Sequence, residues 1–151
     1  MNEKIDLRQF SSLRELNDEQ QEALLEQAVI EEYGEGDYIF HEGASATHVC
    51  FILQGKIDIE VKSEKKIFVL DQLGPGDLLG WSACLGTGNS TASSFCQSHV
   101  RLVKIEGTVL REILHKDTER GLQAAMDIAR IIARRLRESR KRLTHLLGDM
   151  V

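Results

Sequence analysis

The chain is poor in aromatics (5%), has a single proline, Pro75, and carries only three cysteines. Cys50, Cys84 and Cys96 are odd in number, unevenly spaced and without a CxxC pair, which argues against a disulfide framework and against a zinc site. Long apolar runs are also missing. Nothing approaches the roughly 18 apolar residues of a membrane span, and the opening MNEKIDLRQF is acidic and lacks an apolar stretch, so neither a signal peptide nor a membrane helix is expected. These absences leave a cytoplasmic domain with reduced thiols. At 151 residues, 42% hydrophobic and 28% charged, the chain is long enough to bury a core without metal or disulfide support.

Positive charge is missing from one long stretch: no Lys or Arg lies between Lys66 and Arg101. The formal net charge is -5, which disfavours general nucleic-acid affinity, since that depends on neutralising phosphates. Acids crowd the first forty residues, from Glu15 to Asp37. Arg130, Arg134, Arg135, Arg137, Arg140, Lys141 and Arg142 crowd one C-terminal segment, which reads mainly as a solvated face.

What is present falls into three textures. Residues 1–28 read as helical. Leu7, Phe10, Leu13 and Leu16 recur every three residues, and Asn17 followed three positions later by Gln20 is a capping box before Leu24 and Leu25. Residues 29–106 are short runs rich in Ile, Val, Phe and Tyr broken by glycines, with a hairpin turn at Ser63-Glu64-Lys65. GEGDYIF (34–40) and GPGDLLG (74–80) repeat a Gly-x-Gly-Asp corner. Eight short strands are expected, in a mainly β fold of the jelly-roll-like, double-stranded β-helix kind. Residues 107–151 then switch to helical period: a short helix around Val109–Leu114, and a long one from about Glu119 to Leu147. Within the long helix Ala129, Ile132, Leu136, Ser139, Leu143, Leu146 and Met150 alternate three- and four-residue steps, a heptad seam that predicts a homodimer. All three segments are expected to form one domain.

The candidate site is the loop GPGDLLGWSACLGTGNSTASS, residues 74–94, whose small residues let backbone approach a ligand closely. With YGEGDYIFHEGASATHVCFILQGKIDI (33–59), LGPGDLLG (73–80) and ARRL (133–136), this order of elements resembles the cyclic nucleotide-binding domain family, of the catabolite activator effector type. The resemblance spans nearly the whole chain. It implies a noncatalytic regulatory module in which a small effector bridges a phosphate-binding cassette and the dimer helix.

In that family the cassette reads Gly-Glu, a helical turn, then Arg and small residues. The Glu takes the ribose hydroxyl and the Arg pairs with the cyclic phosphate. On this sequence Gly80 matches the Gly and Thr91-Ala92-Ser93 the small residues, but Trp81 stands at the Glu position and Ser90, or the adjoining Asn89, at the Arg position. Each lost contact to a charged group is worth about 1.5–3 kcal/mol, so both absences weaken cyclic nucleotide binding by about two to four orders of magnitude.

The resemblance therefore assigns the pocket to Gly80, Trp81, Ser82, Ala83, Cys84, Ser90, Thr91 and Ala92, with Ser139 and Arg140 reaching it from the long helix. The ligand is a cyclic nucleotide or another small effector, with no metal or other cofactor. Trp81 either packs or stacks on a ligand ring. Cys84 reads as an inert small residue, with a reactive thiol as the alternative. The family's transcription regulators continue past the long helix into a helix-turn-helix; with the chain ending at Val151, no specific DNA binding is expected. The alternative function is an interaction scaffold that keeps the fold without a ligand and presents its surfaces to an unknown protein partner. A cupin-type metal enzyme is the third reading, and it lacks support: His41, His48, His99, His115 and His145 include no closely spaced ligand pair.

Overall fold

The computed structural model describes residues 4–86 and 88–148. Local chemistry sets its helix starts. Leu7–Gln9 and Ser11–Leu13 are 3-10 turns that bury Leu7, Phe10 and Leu13, and α1 (Asp18–Gln27) begins at the expected capping box. The Gln20 amide donates to Asn17 Oδ1 at 2.8 Å, and the Asn17 amide donates back to Gln20 Oε1 at 2.9 Å. The strands follow: β1 (Val29–Tyr33), β2 (His48–Gln54), β3 (Ile57–Lys62), β4 (Ile67–Leu73), β5 (Leu78–Leu79), β6 (Ser93–Cys96) and β7 (Val100–Glu106). Between β5 and β6 lies α2 (Trp81–Leu85); after β7 come α3 (Gly107–His115) and α4 (Thr118–Gly148). Met150 of the expected seam lies outside the described residues.

The expectation of a jelly-roll-like double-stranded β-helix does not hold. The strands make two separate antiparallel sheets, one of four strands in the order β1-β7-β2-β5 and one of three in the order β4-β3-β6, neither closed nor curled. The fold is mixed α/β. Two features account for the difference. The DYIF run, read as a strand, contributes only an isolated bridge from Tyr38 to Phe95, and β5 is just two residues long. Edges that short do not carry a ladder from one sheet into the next.

The central β2–β7 pair of the four-stranded sheet is buried on both faces, and period-two alternation sorts its side chains. Val49 and Phe51 of β2, with Val103 and Ile105 of β7, pack under the helices against Leu7, Phe10, Leu110 and Ile128. Their neighbours Cys50, Ile52, Val100 and Leu102 face the other way, onto Ile57, Leu73 and Cys96 of the three-stranded sheet. A helical layer, a sheet and a second sheet thus share two cores. On the three-stranded sheet two buried acids are satisfied locally. Asp58 accepts from the side-chain amides of Gln72, at 3.0 Å, and Gln97, and Glu60 accepts from the Tyr38 hydroxyl at 2.9 Å.

The repeated corner is a real structural device. In both copies the first Gly amide donates to the Asp side chain at 2.8 Å, and the second Gly has positive φ, +90° at Gly36 and +93° at Gly76. Each corner then grips one residue of a strand by two backbone bonds. Gly36 N–H to Cys96 O and Cys96 N–H to Asp37 O hold the first at 2.8 Å; Gly76 N–H to Ile52 O and Ile52 N–H to Asp77 O hold the second at 2.9 Å. Among the described residues no helix is long and apolar enough to cross a membrane.

Candidate functional site

The second corner delivers the chain into β5, which pairs with β2 through Cys50–Leu79 and Phe51–Leu78. The chain then turns at Gly80, in the left-handed region with φ +83°. A Cβ there would lie 2.6 Å from the carbonyl oxygen of His48 and 3.1 Å from the Phe40 ring, so only glycine fits. The turn launches α2, whose Ser82, Ala83 and Cys84 are buried. From α3, Arg111 Nη1 donates to the carbonyls of Ala83 at 2.7 Å and Cys84 at 3.1 Å, fixing the far end of α2. The outgoing strand is tied to the segment before β2. Ala46 N–H donates to Gly88 O at 2.7 Å, Gly43 N–H to Ser90 O at 2.8 Å, and Ser94 N–H to Phe40 O at 2.9 Å.

Between this loop, the three-stranded sheet and α4 lies a cavity of about 430 Å³. Its apolar wall includes Phe40, Ile59, Leu70, Leu79, Trp81 and Ile132; its polar groups are Asp71, Ser82, Ser90, Thr91, Ser94, Arg135 and Ser139. Of the residues the sequence singled out, Gly80, Trp81, Ser82, Ser90, Thr91, Ala92 and Ser139 come together here. Ala83 and Cys84 turn instead into the core under the helices, and Arg140 sits on the exposed side of α4. Trp81 lines the cavity rather than filling it, while also packing against that core.

The sequence reading missed Arg135. Its side chain is only 12% exposed, donates from Nη2 to the carbonyl of Leu78, and lies 3.9 Å from Asp71 Oδ2. Burial lowers its pKa to about 10, against the pull of Asp77 and Asp71, so it remains charged at neutral pH. A signal for it existed: Arg135 falls seven residues after Ile128 and four before Ser139, on the inward stripe. The cassette itself is without a cation, and the long helix supplies one.

The heptad residues divide by the same geometry. Ile132 and Ser139 face the cavity and Leu146 leans toward β4; Leu136 borders the cavity too but is 50% exposed, and Leu143, 52% exposed, lies away from it. The outward stripe has the register Leu122, Met126, Ala129, Ala133, Leu136, Arg140, Leu143, Leu147.

All three cysteines are free and buried. Burial raises each thiol pKa, to about 12 at Cys50 and about 11 at Cys96; at Cys84 burial again dominates and nearby Arg111 only partly opposes it. Reactive thiols are depressed instead. Titration with a disulfide reagent at pH 8 should therefore label the folded protein slowly and the denatured chain at all three sites. Rapid labelling of Cys84 in the folded protein would contradict this. Among the described residues no group of three or more His, Cys, Asp or Glu side chains could hold a metal ion.

A cassette that a long helix closes into a cavity defines a noncatalytic regulatory module of the sensor type. The chain belongs to the cyclic nucleotide-binding domain family, whose model matches residues 30–117. A Geobacter metallireducens protein assigned as cyclic nucleotide-binding is similar over 86% of this chain and 95% of its own, at 25% identity and a TM-score of 0.74. The N-terminal domain of a Streptomyces coelicolor transcriptional regulator is likewise 25% identical, covering 91% and 94%, with a TM-score of 0.68. The catabolite activator protein of Thermus thermophilus shares the fold at 24% identity and a TM-score of 0.70, over 90% of this chain and 62% of that protein. No curated protein matches the chain.

Proposed function

We propose that the cavity between the cassette loop and α4 is an effector site, and that its occupancy sets the position of α4 in a homodimer. The observation that carries this reading is the wall itself: Gly80–Ser82 and Ser90–Ala92 on one side, Ile132, Arg135, Leu136 and Ser139 on the other. A ligand there touches both parts at once, and differential contact with two positions of the helix is what a two-state switch requires. The volume lies in the range of small-ligand sites. That Trp81 leaves the space open favours a sensor over a ligand-free scaffold. Mass spectrometry of small molecules released on denaturation is the direct test, and a stoichiometric organic molecule is the expected result. Protein that carries none, and whose melting no small molecule shifts, would return the scaffold reading.

Cyclic AMP and cyclic GMP are weak occupants in this reading. Trp81 takes the place of the ribose-binding acid, and Ser90 that of the phosphate-binding Arg. Isothermal titration should give dissociation constants in the millimolar range or no saturable heat, following from the loss of about 1.5–3 kcal/mol per contact. Micromolar binding of either nucleotide would show that Arg135 replaces the missing cassette cation in full.

The partner is a second copy of the chain, joined through the outward stripe of α4. At 1.5 Å per residue the 31-residue helix is about 46 Å long, and Leu122, Met126, Leu136, Leu143 and Leu147 are between 47% and 63% exposed along it. With Ala129, Ala133 and Arg140 between them, they follow alternating four- and three-residue steps that suit a two-helix seam.

A further inference from the structure

Arg135 is buried at the cavity wall with its hydrogen-bonding capacity only partly used. One Nη donates to the carbonyl of Leu78, and the Asp71 carboxylate stands 3.9 Å from Nε, beyond hydrogen-bond reach. Among the described residues, Arg135 Nε is the one buried side-chain N or O atom without a hydrogen-bond partner. A buried charged donor left unmet is costly, and native structures rarely tolerate one without a reason. Among the described residues no other Lys or Arg borders the cavity, and most of its remaining wall is apolar, with Phe40, Ile59, Leu70, Leu79, Trp81 and Ile132 prominent.

We propose that the cavity takes a small, mainly apolar monocarboxylate, whose carboxylate is held by the Arg135 guanidinium at the cavity wall while its hydrocarbon or aromatic body lies against Phe40, Trp81 and Leu79. This rests on the reading of the cavity as an effector site and narrows its ligand. Three features select the class. A guanidinium edge is planar and matches a carboxylate in geometry. Arg135 already shares its charge with Asp71, 3.9 Å away on the same wall, so no surplus positive charge is there for a doubly charged ligand, which disfavours phosphate dianions. The apolar wall then favours a body without the sugar hydroxyls of a nucleotide. The hydroxyls of Ser90, Thr91 and Ser139 border the same space and suit a second hydrogen bond to the carboxylate.

Trp81 is the only tryptophan in the chain and lines the cavity, so its emission reports on occupancy directly. The experiment titrates 3-phenylpropionate and its neutral isostere 3-phenylpropionamide into the full chain, alongside cyclic AMP and cyclic GMP. The acid should bind about tenfold or more tighter than the amide, the value of one hydrogen bond to a charged group. In Arg135→Gln the two should bind alike, and Arg135→Lys, which keeps charge but not the fork, should fall between. Should Arg135→Gln not fold, the acid-to-amide ratio in the wild-type chain decides alone. An amide that binds as tightly as the acid, or an acid that stays silent while the amide or a cyclic nucleotide moves Trp81, overturns the proposal and leaves the effector site standing. Silence of all four compounds at millimolar concentration overturns both.

Discussion

Gly80→Ala should lower the melting temperature by about 4–20 °C. Two costs combine at this position. Holding an L-residue at φ +83° costs about 1–2 kcal/mol. The added methyl must also displace the His48 carbonyl, 2.6 Å away, at the start of the central strand β2. Overpacking of this kind adds about 1–3 kcal/mol, and for a chain of this length each kcal/mol shifts melting by about 2–4 °C. Gly76→Ala is the matched comparison. Its φ is +93°, but nothing lies within 4 Å of the new Cβ, so it carries the conformational cost alone. Calorimetry of both variants separates the two contributions. Equal melting temperatures would mean that β2 yields to the methyl, and that the cassette is less firmly seated than the geometry indicates.

Leu143→Glu should convert a dimer into a folded monomer. Leu143 lies on the outward stripe of α4, is 52% exposed within one copy, and lies outside the effector cavity, so the change leaves the fold of the single chain intact. In a two-helix seam the same position becomes buried. An uncompensated carboxylate there costs about 3 kcal/mol or more, or at least about a hundredfold in the dimer dissociation constant. Sedimentation equilibrium at micromolar concentration reads this directly, with circular dichroism as the control for folding. A wild-type chain that sediments as a monomer, or a variant that dimerises unchanged, removes the seam from the account.

Features that depend on a few neighbouring residues were legible in the sequence. The capping box at Asn17 and Gln20, the hairpin at Ser63 and the paired Gly-x-Gly-Asp corners all rest on bonds that close within four residues. Sheet closure does not. Alternating runs show which faces of β2 and β7 are apolar, but they are silent about which edges meet, and the jelly-roll expectation failed at that point. The cavity was half visible. Gly80 and the small residues from Ser90 onward announce a close backbone approach, whereas Arg135 was hidden among seven basic residues that look alike until the helix phase is set by Ile128 and Ser139. Phase also divides the heptad residues, because Ile132 and Ser139 share the three- and four-step spacing with the half-exposed Leu143 yet turn toward the domain.

The two corners are twins in their backbone bonds but not in their attachments. Asp37 serves its own turn, while Asp77 gives one oxygen to the Gly74 amide and the other to Arg134 on α4, at 3.7 Å. The turn that opens the cassette and the long helix therefore share a single carboxylate. Because the pair is partly exposed, it is worth only about 0–1 kcal/mol, close to thermal energy. It ties the helix to one corner of the module while leaving the other free.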